Sequence, residues 1–543
     1  MLLNEYELVQ PVGWLLAPVL RLAFRFVSFL THAVFVLWNL GNKRQVVPQI
    51  DPNDEDDRFL LVPVQELAAL VREQKPTATH LLEIFIRRAE LVNPQLNAVV
   101  QRNYEAARKQ AHEIDEFVAK LDRESDEFKQ LATTKPLLGV PISVKDHISV
   151  EGLRDAVLVQ RLKAAGAIPL VMTNVPEGLM WIETDNTIYG RTCNAYDSRL
   201  GVGGSSGGEG ALLGAAATVI GIGTDIGGSV RTPAMFNGVF GLKPGPELTC
   251  LEGFVPDHFC GYQNQLVGIG PMCRYAKDLL PMFKIFADPQ HHGRLRLDEP
   301  VDVRKLRVFY MEGSQSFTQS PLSPDVLGAM QKATTHFQEQ LGVSTIRVNL
   351  PLAEYGLDMW FAGLLEGGAL PLPNFFTGFN PEKALNGLAE IPVFLAGKST
   401  HTLPVITTCA VYDILAAFTW DPEQRDKIRS ILRRQFIDLL GPDGVLIWPS
   451  FPRSGYFHNE PLMLFTDVQI TALWNALALP VVAVPMGLNA SGHPTAVQVV
   501  AAPDNERLLC AVAEELERAY GGWQQPPGPV LSAPKPQAAA VST

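Results

Sequence analysis

The chain has 543 residues, 47% of them hydrophobic and 19% charged, a core-forming composition that excludes a largely disordered protein. Its net charge of −12 comes without a basic stripe, so a nucleic-acid-binding role is excluded. Six cysteines without a C-x-x-C or a short paired framework exclude a disulfide scaffold and a cysteine-based metal site.

The first predicted element is an apolar helix. Residues 11–40 read PVGWLLAPVLRLAFRFVSFLTHAVFVLWNL, in which only Arg21 and Arg25 carry formal charge. The charge-free run from Phe26 to Leu40 is short for a membrane span, which needs about 20 residues. With both arginines snorkelling to an interface, the whole segment is long enough. A single-pass membrane anchor over residues 1–45 is expected, on an endomembrane or lipid-droplet surface. An interfacial helix and a signal peptide are the alternatives, and no small-x-small cleavage site follows.

An acidic linker, 46–59, then marks a domain boundary. THLLEIFIRRAEL spaces its apolar residues every three or four positions and predicts a helix ending before Asn93–Pro94. Residues 136–146 read as a strand, and AAGAIPLVMTNV (164–175) as a helix end, a turn and a strand. EGALLGAAATVIGIG (209–223) reads as a small-residue helix running into a strand. Strands and helices alternate again over 300–350 and 471–502, which predicts an α/β layered domain over 60–523. LPVITTCAVYDILAAFTW (403–420) reads as a membrane-facing cap, a wall of an acyl channel or an ordinary buried helix. The tail, 524–543, is Pro/Ala-rich and reads as disordered. H-E-x-x-H is absent and His291–His292 sits in a polar loop, so no metal site is expected.

Two stretches are chemically unusual. GVPISVKDHISV (139–150) puts Lys145 at the end of an apolar run, where an ammonium is costly to bury. GGSSGGEGALLGAAATVIGIGTDIGGSVR (203–231) brackets one small-residue helix with two serine-bearing glycine loops. A phosphate cradle needs a lysine that is not placed there, and G-x-G-x-x-G fails at Ile226. Gly203 to Gly207 fit the G-x-S-x-G elbow of a hydrolase, but polar NAYDSRLGV precedes them where an apolar strand belongs. A glycine turn without chemistry explains one loop less well once the second brings a serine, an acid and an arginine together.

Taken with Lys145, the two loops resemble the amidase signature family. The resemblance runs through Gly203, Ser205, Ser206, Gly207, Gly208, Gly221, Asp225, Gly227, Ser229 and Arg231 to Pro233. PLLGVPISVKD resembles the family's lysine strand, and DGVLIWPSFP and NALALPVVAVPMGLNASGHPTAVQVVA resemble its C-terminal strands, so that residues 60–522 are covered. GPMCRYAKDLLPM, SSGGEGA and the late GGW are most similar to the family's fatty acid amide hydrolases.

The resemblance implies a large mixed β-sheet flanked by helices, and a Ser–Ser–Lys triad. Ser229 would be the nucleophile. Ser205, held in the family by a cis peptide, would bridge it to Lys145. A desolvated Lys145, lowered by about 3 units from an ordinary pKa of about 10.4, would be the base. The backbone N–H groups of Ile226, Gly227, Gly228 and Ser229 would form an oxyanion hole, with Leu179 facing the substrate. Ser206, Asp225 and Arg231 would support the loops. No metal or organic cofactor is implied. The partners are a fatty acid amide and membrane lipid, not nucleic acid, with a homodimer left open. The alternatives are an amidase for small amides or a glutaminase-like subunit, and an inactive lipid-amide binding protein. The last arises because the connection between Lys145 and Gly166 is shorter than the family's spacing by roughly fifteen residues. Ala478 also replaces a glycine expected before Leu479–Pro480.

Overall fold

The computed structural model describes residues 17–150, 155–256, 259, 261–314, 316–366, 371–378, 380–417 and 422–531. The N-terminal apolar run forms helix α1 (Ala17–Trp38). Helix α2 (Ala78–Leu96) opens on Thr77, whose side chain accepts the N–H of His80. It buries Leu81, Leu82, Phe85, Ala89 and Val92 on one face, as the spacing predicts. It runs on through Pro94, beyond the predicted end. Asn93 closes it instead: its carbonyl accepts from Asn97 at 2.7 Å and its Oδ1 from Ala98 and Val99 at 2.8 and 2.9 Å.

Eleven strands form one mixed sheet. In chain order they are β1 (Val99–Arg102), β2 (Pro141–Lys145), β3 (Ile168–Thr173), β4 (Ile220–Asp225), β5 (Phe240–Lys243) and β6 (Gly268–Cys273). They continue as β7 (Arg307–Tyr310), β8 (Thr345–Arg347), β9 (Gly444–Pro449), β10 (Val481–Leu488) and β11 (Pro494–Ala501). The spatial order is β1-β3-β2-β4-β6-β5-β10-β11-β9-β7-β8. β2 lies parallel to β3 and β4. The β10–β11 hairpin pairs antiparallel with β5 and β9. Every residue of β2 is buried, which explains why only Ser143 interrupts its apolar residues before Lys145: both faces of a parallel segment are covered.

Further helices position the site. They are α3 (Gly207–Gly214), α4 (Arg231–Phe236), α5 (Gly356–Leu365), α6 (Gly387–Leu395), α7 (Leu403–Ala417), α8 (Pro461–Leu464) and α9 (Gln469–Ala476). All eight residues of α3 are buried. A Cβ on Gly208 would lie 2.5 Å from the backbone N of Asn174, so only glycine lets α3 come this close to the end of β3. Helices α6 and α7 pack together, and α6 leaves Leu388 and Leu395 exposed. Residues 418–420 of the run read as a cap lie outside the described residues.

Residues 46–59 lie against the core, with Val47 and Ile50 buried. Residues 524–531 run beside them, Gln49 bridging to Val530. The rest of the tail, 532–543, lies outside the described residues.

Candidate active site

β2 and β4 deliver the site. Their parallel register sets Lys145 opposite Thr173 of β3 and Val144 opposite Ile222 of β4. Lys145 therefore ends its strand beside Thr224, at the carboxyl edge where ligands bind in open α/β sheets. Its Nζ lies 2.7 Å from Ser205 Oγ and 2.8 Å from Thr224 Oγ1. The Gly204–Ser205 peptide is cis. Burial lowers the Lys145 pKa to about 7, against the opposing pull of Asp225 and Glu209. Near neutral pH much of this amine is uncharged and able to take a proton.

The two serine loops are tied together by the Ser206 N–H, which donates to the Ser229 carbonyl at 3.1 Å. The Ser206 hydroxyl has no partner among the described residues. The second loop is held from below by Asp225. Its Oδ1 accepts the Gly228 N–H at 2.8 Å and its Oδ2 the Val230 N–H at 3.1 Å. Arg231 donates to both oxygens, at 3.0 and 2.9 Å, and both side chains are fully buried. Burial alone would raise the Asp225 pKa. The Arg231 guanidinium outweighs it and holds the carboxyl well below the usual range. Arg231 also donates to the Thr471 carbonyl, Gln498 Oε1 and Asn475 Oδ1.

This scaffold turns the Ile226–Ser229 backbone in a defined sense. Trp360 of α5 donates to the Ile226 carbonyl and Thr471 of α9 to the Gly227 carbonyl, each at 2.6 Å. Gly228 has a φ of 131°, a conformation other residues resist. The Gly228 N–H, one of the four expected oxyanion donors, is taken by Asp225. The N–H groups of Ile226, Gly227 and Ser229 carry no hydrogen bond among the described residues.

Two cavities meet at Ser229. One has apolar walls from Trp181, Phe361, Val411, Leu462, Phe465 and others, together with the Ile226–Ser229 backbone. The other holds Ser205, Thr224, Asp146 and His147 beside Ser229, among mostly apolar walls. Leu179, at a positive φ of 62°, lines both. Leu179, Ser205 and Asp225 to Ser229 thus line these cavities, with Lys145 bonded to Ser205 and with Ser206 and Arg231 in the loops behind them. Thr224, Glu209, Asn475, Thr471, Gln498 and Trp360 were missed. Glu209 lies under the lysine strand, where its carboxyl bonds Ser143 Oγ and accepts from Thr173 Oγ1. Burial raises its pKa to about 8, opposed by those two hydroxyls and by Lys145.

The connection after Lys145, expected from the sequence to be short for the family, runs beside this geometry without displacing it. Residues 151–154 lie outside the described residues, but the chain on either side is zipped to the 251–255 loop. Ser149 N–H donates to the Gly253 carbonyl at 2.9 Å, Val255 N–H to His147 at 2.9 Å and Val157 N–H to Glu252 at 3.1 Å.

Comparison with known proteins gives the chain's family and fold relatives. Residues 80–510 match the Amidase family profile. The chain is 37% identical to fatty-acid amide hydrolase 2 of Homo sapiens over 494 residues, covering 88% of this chain and 92% of that one. It is 36% identical to fatty-acid amide hydrolase 2-A of Danio rerio over 541 residues, covering 92% and 96%. Its fold matches a solved fatty acid amide hydrolase with a TM-score of 0.66 at 20% identity, covering 86% of this chain and 87% of that one. The α/β layers and the mixed sheet with its flanking helices are thus those of an amide-bond hydrolase, and the chain belongs to the amidase signature family.

Proposed function

We propose that the chain is a membrane-associated serine hydrolase that cleaves fatty acid amides to a free fatty acid and an amine or ammonia. The observation that carries this reading is the buried Lys145 Nζ at 2.7 Å from Ser205 Oγ, with Ser229 where two largely apolar cavities meet. Neutral Lys145 takes a proton from Ser205 as Ser205 takes one from Ser229 Oγ, and the Ser229 oxygen attacks the amide carbon. The oxyanion that forms lies against the N–H groups of Ile226, Gly227 and Ser229, each worth about 3 kcal/mol in the transition state. The relay then runs in reverse and protonates the amide nitrogen, without which the C–N bond does not break. Water hydrolyses the acyl-Ser229 ester by the same proton path.

The apolar cavity suits a long acyl chain, which counts against small amides and glutamine. Helix α1 exposes Leu22, Phe26 and Phe29 along an apolar helix long enough to cross a membrane, and lipid is the medium in which such substrates partition. The test is ammonia release from a long-chain primary fatty amide by the full chain in membranes, beside Ser229→Ala at matched folded protein. Activity in the wild type and background in the variant are expected. A folded wild type that neither turns over the amide nor reacts at Ser229 with a fluorophosphonate would overturn the proposal in favour of a lipid-amide binding protein.

A further inference from the structure

Helix α1 does not stand away from the catalytic domain. Arg21, Phe24, Ser28, Thr31, His32 and Phe35 of α1, with Asn39 just after it, are shielded positions that recur every three or four residues on one side. They form one seam against the domain. Ser28 Oγ donates to Ser320 Oγ at 2.8 Å, and Arg453 donates to Ser28 Oγ at 3.3 Å. His32 Nδ1 and Glu460 Oε1 share a hydrogen bond of 2.7 Å, and the Glu460 side chain is fully buried. Phe24 packs against the core. Ser28 and His32 thus face protein while most apolar residues of α1 face outward, the reverse of an ordinary surface helix.

The outward side is too broad for a protein stripe. Val19, Phe26, Leu30 and Leu37 lie opposite the seam, at about 100° per residue, and all are exposed. Arg25 and Trp38 lie on its two flanks, both exposed, where a charged head and an indole reach the headgroup level. A bilayer leaflet covers such a surround. A perpendicular crossing is a poor fit. A helix of 22 residues is about 33 Å long and fills the roughly 30 Å hydrocarbon core. Ser28 and its partners Ser320 and Arg453 would then sit at mid-membrane, with Glu460 one turn away, which is where charged groups are most expensive.

We propose that α1 lies in the plane of one leaflet as a keel fixed to the catalytic domain, and does not cross the bilayer. The inference rests on the membrane association argued above and changes its form. The seam also meets the site. Glu460 immediately precedes α8, whose Leu462 lines the apolar cavity, so the keel holds that cavity wall at the lipid surface.

The test uses the full chain with short epitope tags at both ends, expressed in sealed microsomal vesicles and treated with external protease. The expected result is that the chain sediments with the vesicles and that both tags share one fate, digested together or protected together. Sedimentation with one tag digested and the other protected would overturn the in-plane helix and leave membrane association standing. Loss of the N-terminal tag by cleavage before protease is added would overturn the keel. Recovery of the intact chain in the supernatant would overturn both the keel and the membrane association on which it rests.

Discussion

Lys145 is where stability and activity pull in opposite directions. Its pKa is lowered to about 7 in the fold, against about 10.4 in an unfolded chain. Between those values the unfolded chain binds the extra proton, so this residue makes stability rise with pH across that window. At pH 7 the penalty is about 4 kcal/mol, offset in part by two hydrogen bonds of about 1 kcal/mol each. Lys145→Met is therefore expected to abolish turnover yet raise the thermal midpoint at pH 7, with the gain shrinking toward pH 10. Lys243, also lowered to about 7 by burial, shares the window, so the informative quantity is the difference between variant and wild type. In the wild type, kcat/KM is expected to rise with pH through about 7, because only the neutral amine accepts the Ser205 proton. A flat profile from pH 6 to 9 would remove Lys145 as the base. Thr224→Val takes away the second partner of Nζ, and a loss of about tenfold in kcat with KM unchanged is expected. An equal loss in KM would mean that Thr224 shapes the cavity instead.

Among the elements, α3 has the least room. Gly208 sits where a Cβ would meet the Asn174 backbone N at 2.5 Å and its O at 2.8 Å. Asn174 is itself fixed, donating its N–H to the Ala98 carbonyl at 2.8 Å and accepting from the Gly208 N–H at 3.1 Å. Gly208→Ala is expected to destabilise by about 1–3 kcal/mol, as overpacking does, and to slow Ser229 labelling by a fluorophosphonate. Denaturant midpoints and labelling rates check the two effects separately, and an unchanged midpoint would mean that the backbone yields. This crowding is legible in the sequence as a run of glycine and alanine, and the two serine candidates are legible because Ser205 to Arg231 lie on one short motif. The supports of that motif are not. Thr471, Asn475 and Gln498 reach Arg231 and Asp225 from more than two hundred residues away, and nothing in their local spacing points there. The register that sets Thr224 beside Lys145 is a pairing of two strands, which local periodicity does not encode. The extension of α2 through Pro94 depends on the Asn93 side chain as acceptor, again a matter of three-dimensional geometry.

At the scale of the whole molecule, the sheet delivers the surroundings of Ser229 while α5, α7, α8 and the segment after α8 wall the apolar cavity. These pieces come from distant parts of the chain, so the proposed acyl specificity is separable from the proposed chemistry. Val411 of α7 is 38% exposed and lines that cavity, so a larger side chain there narrows the space without being forced into the core. Val411→Trp fills a volume of about three methylenes. At about 0.8 kcal/mol per buried methylene, excluding them costs about 2.4 kcal/mol, or roughly fiftyfold in kcat/KM for a long-chain amide. A short-chain amide that never reaches α7 keeps its kcat/KM within about twofold, because Lys145, Ser205 and Ser229 are untouched. A matched series of primary amides of increasing chain length, assayed with both proteins in detergent, separates the outcomes. A break in the variant's profile at one chain length would locate the acyl tail against α7. A uniform loss at every length would mean that the acyl chain runs elsewhere and that the substitution acts on the fold.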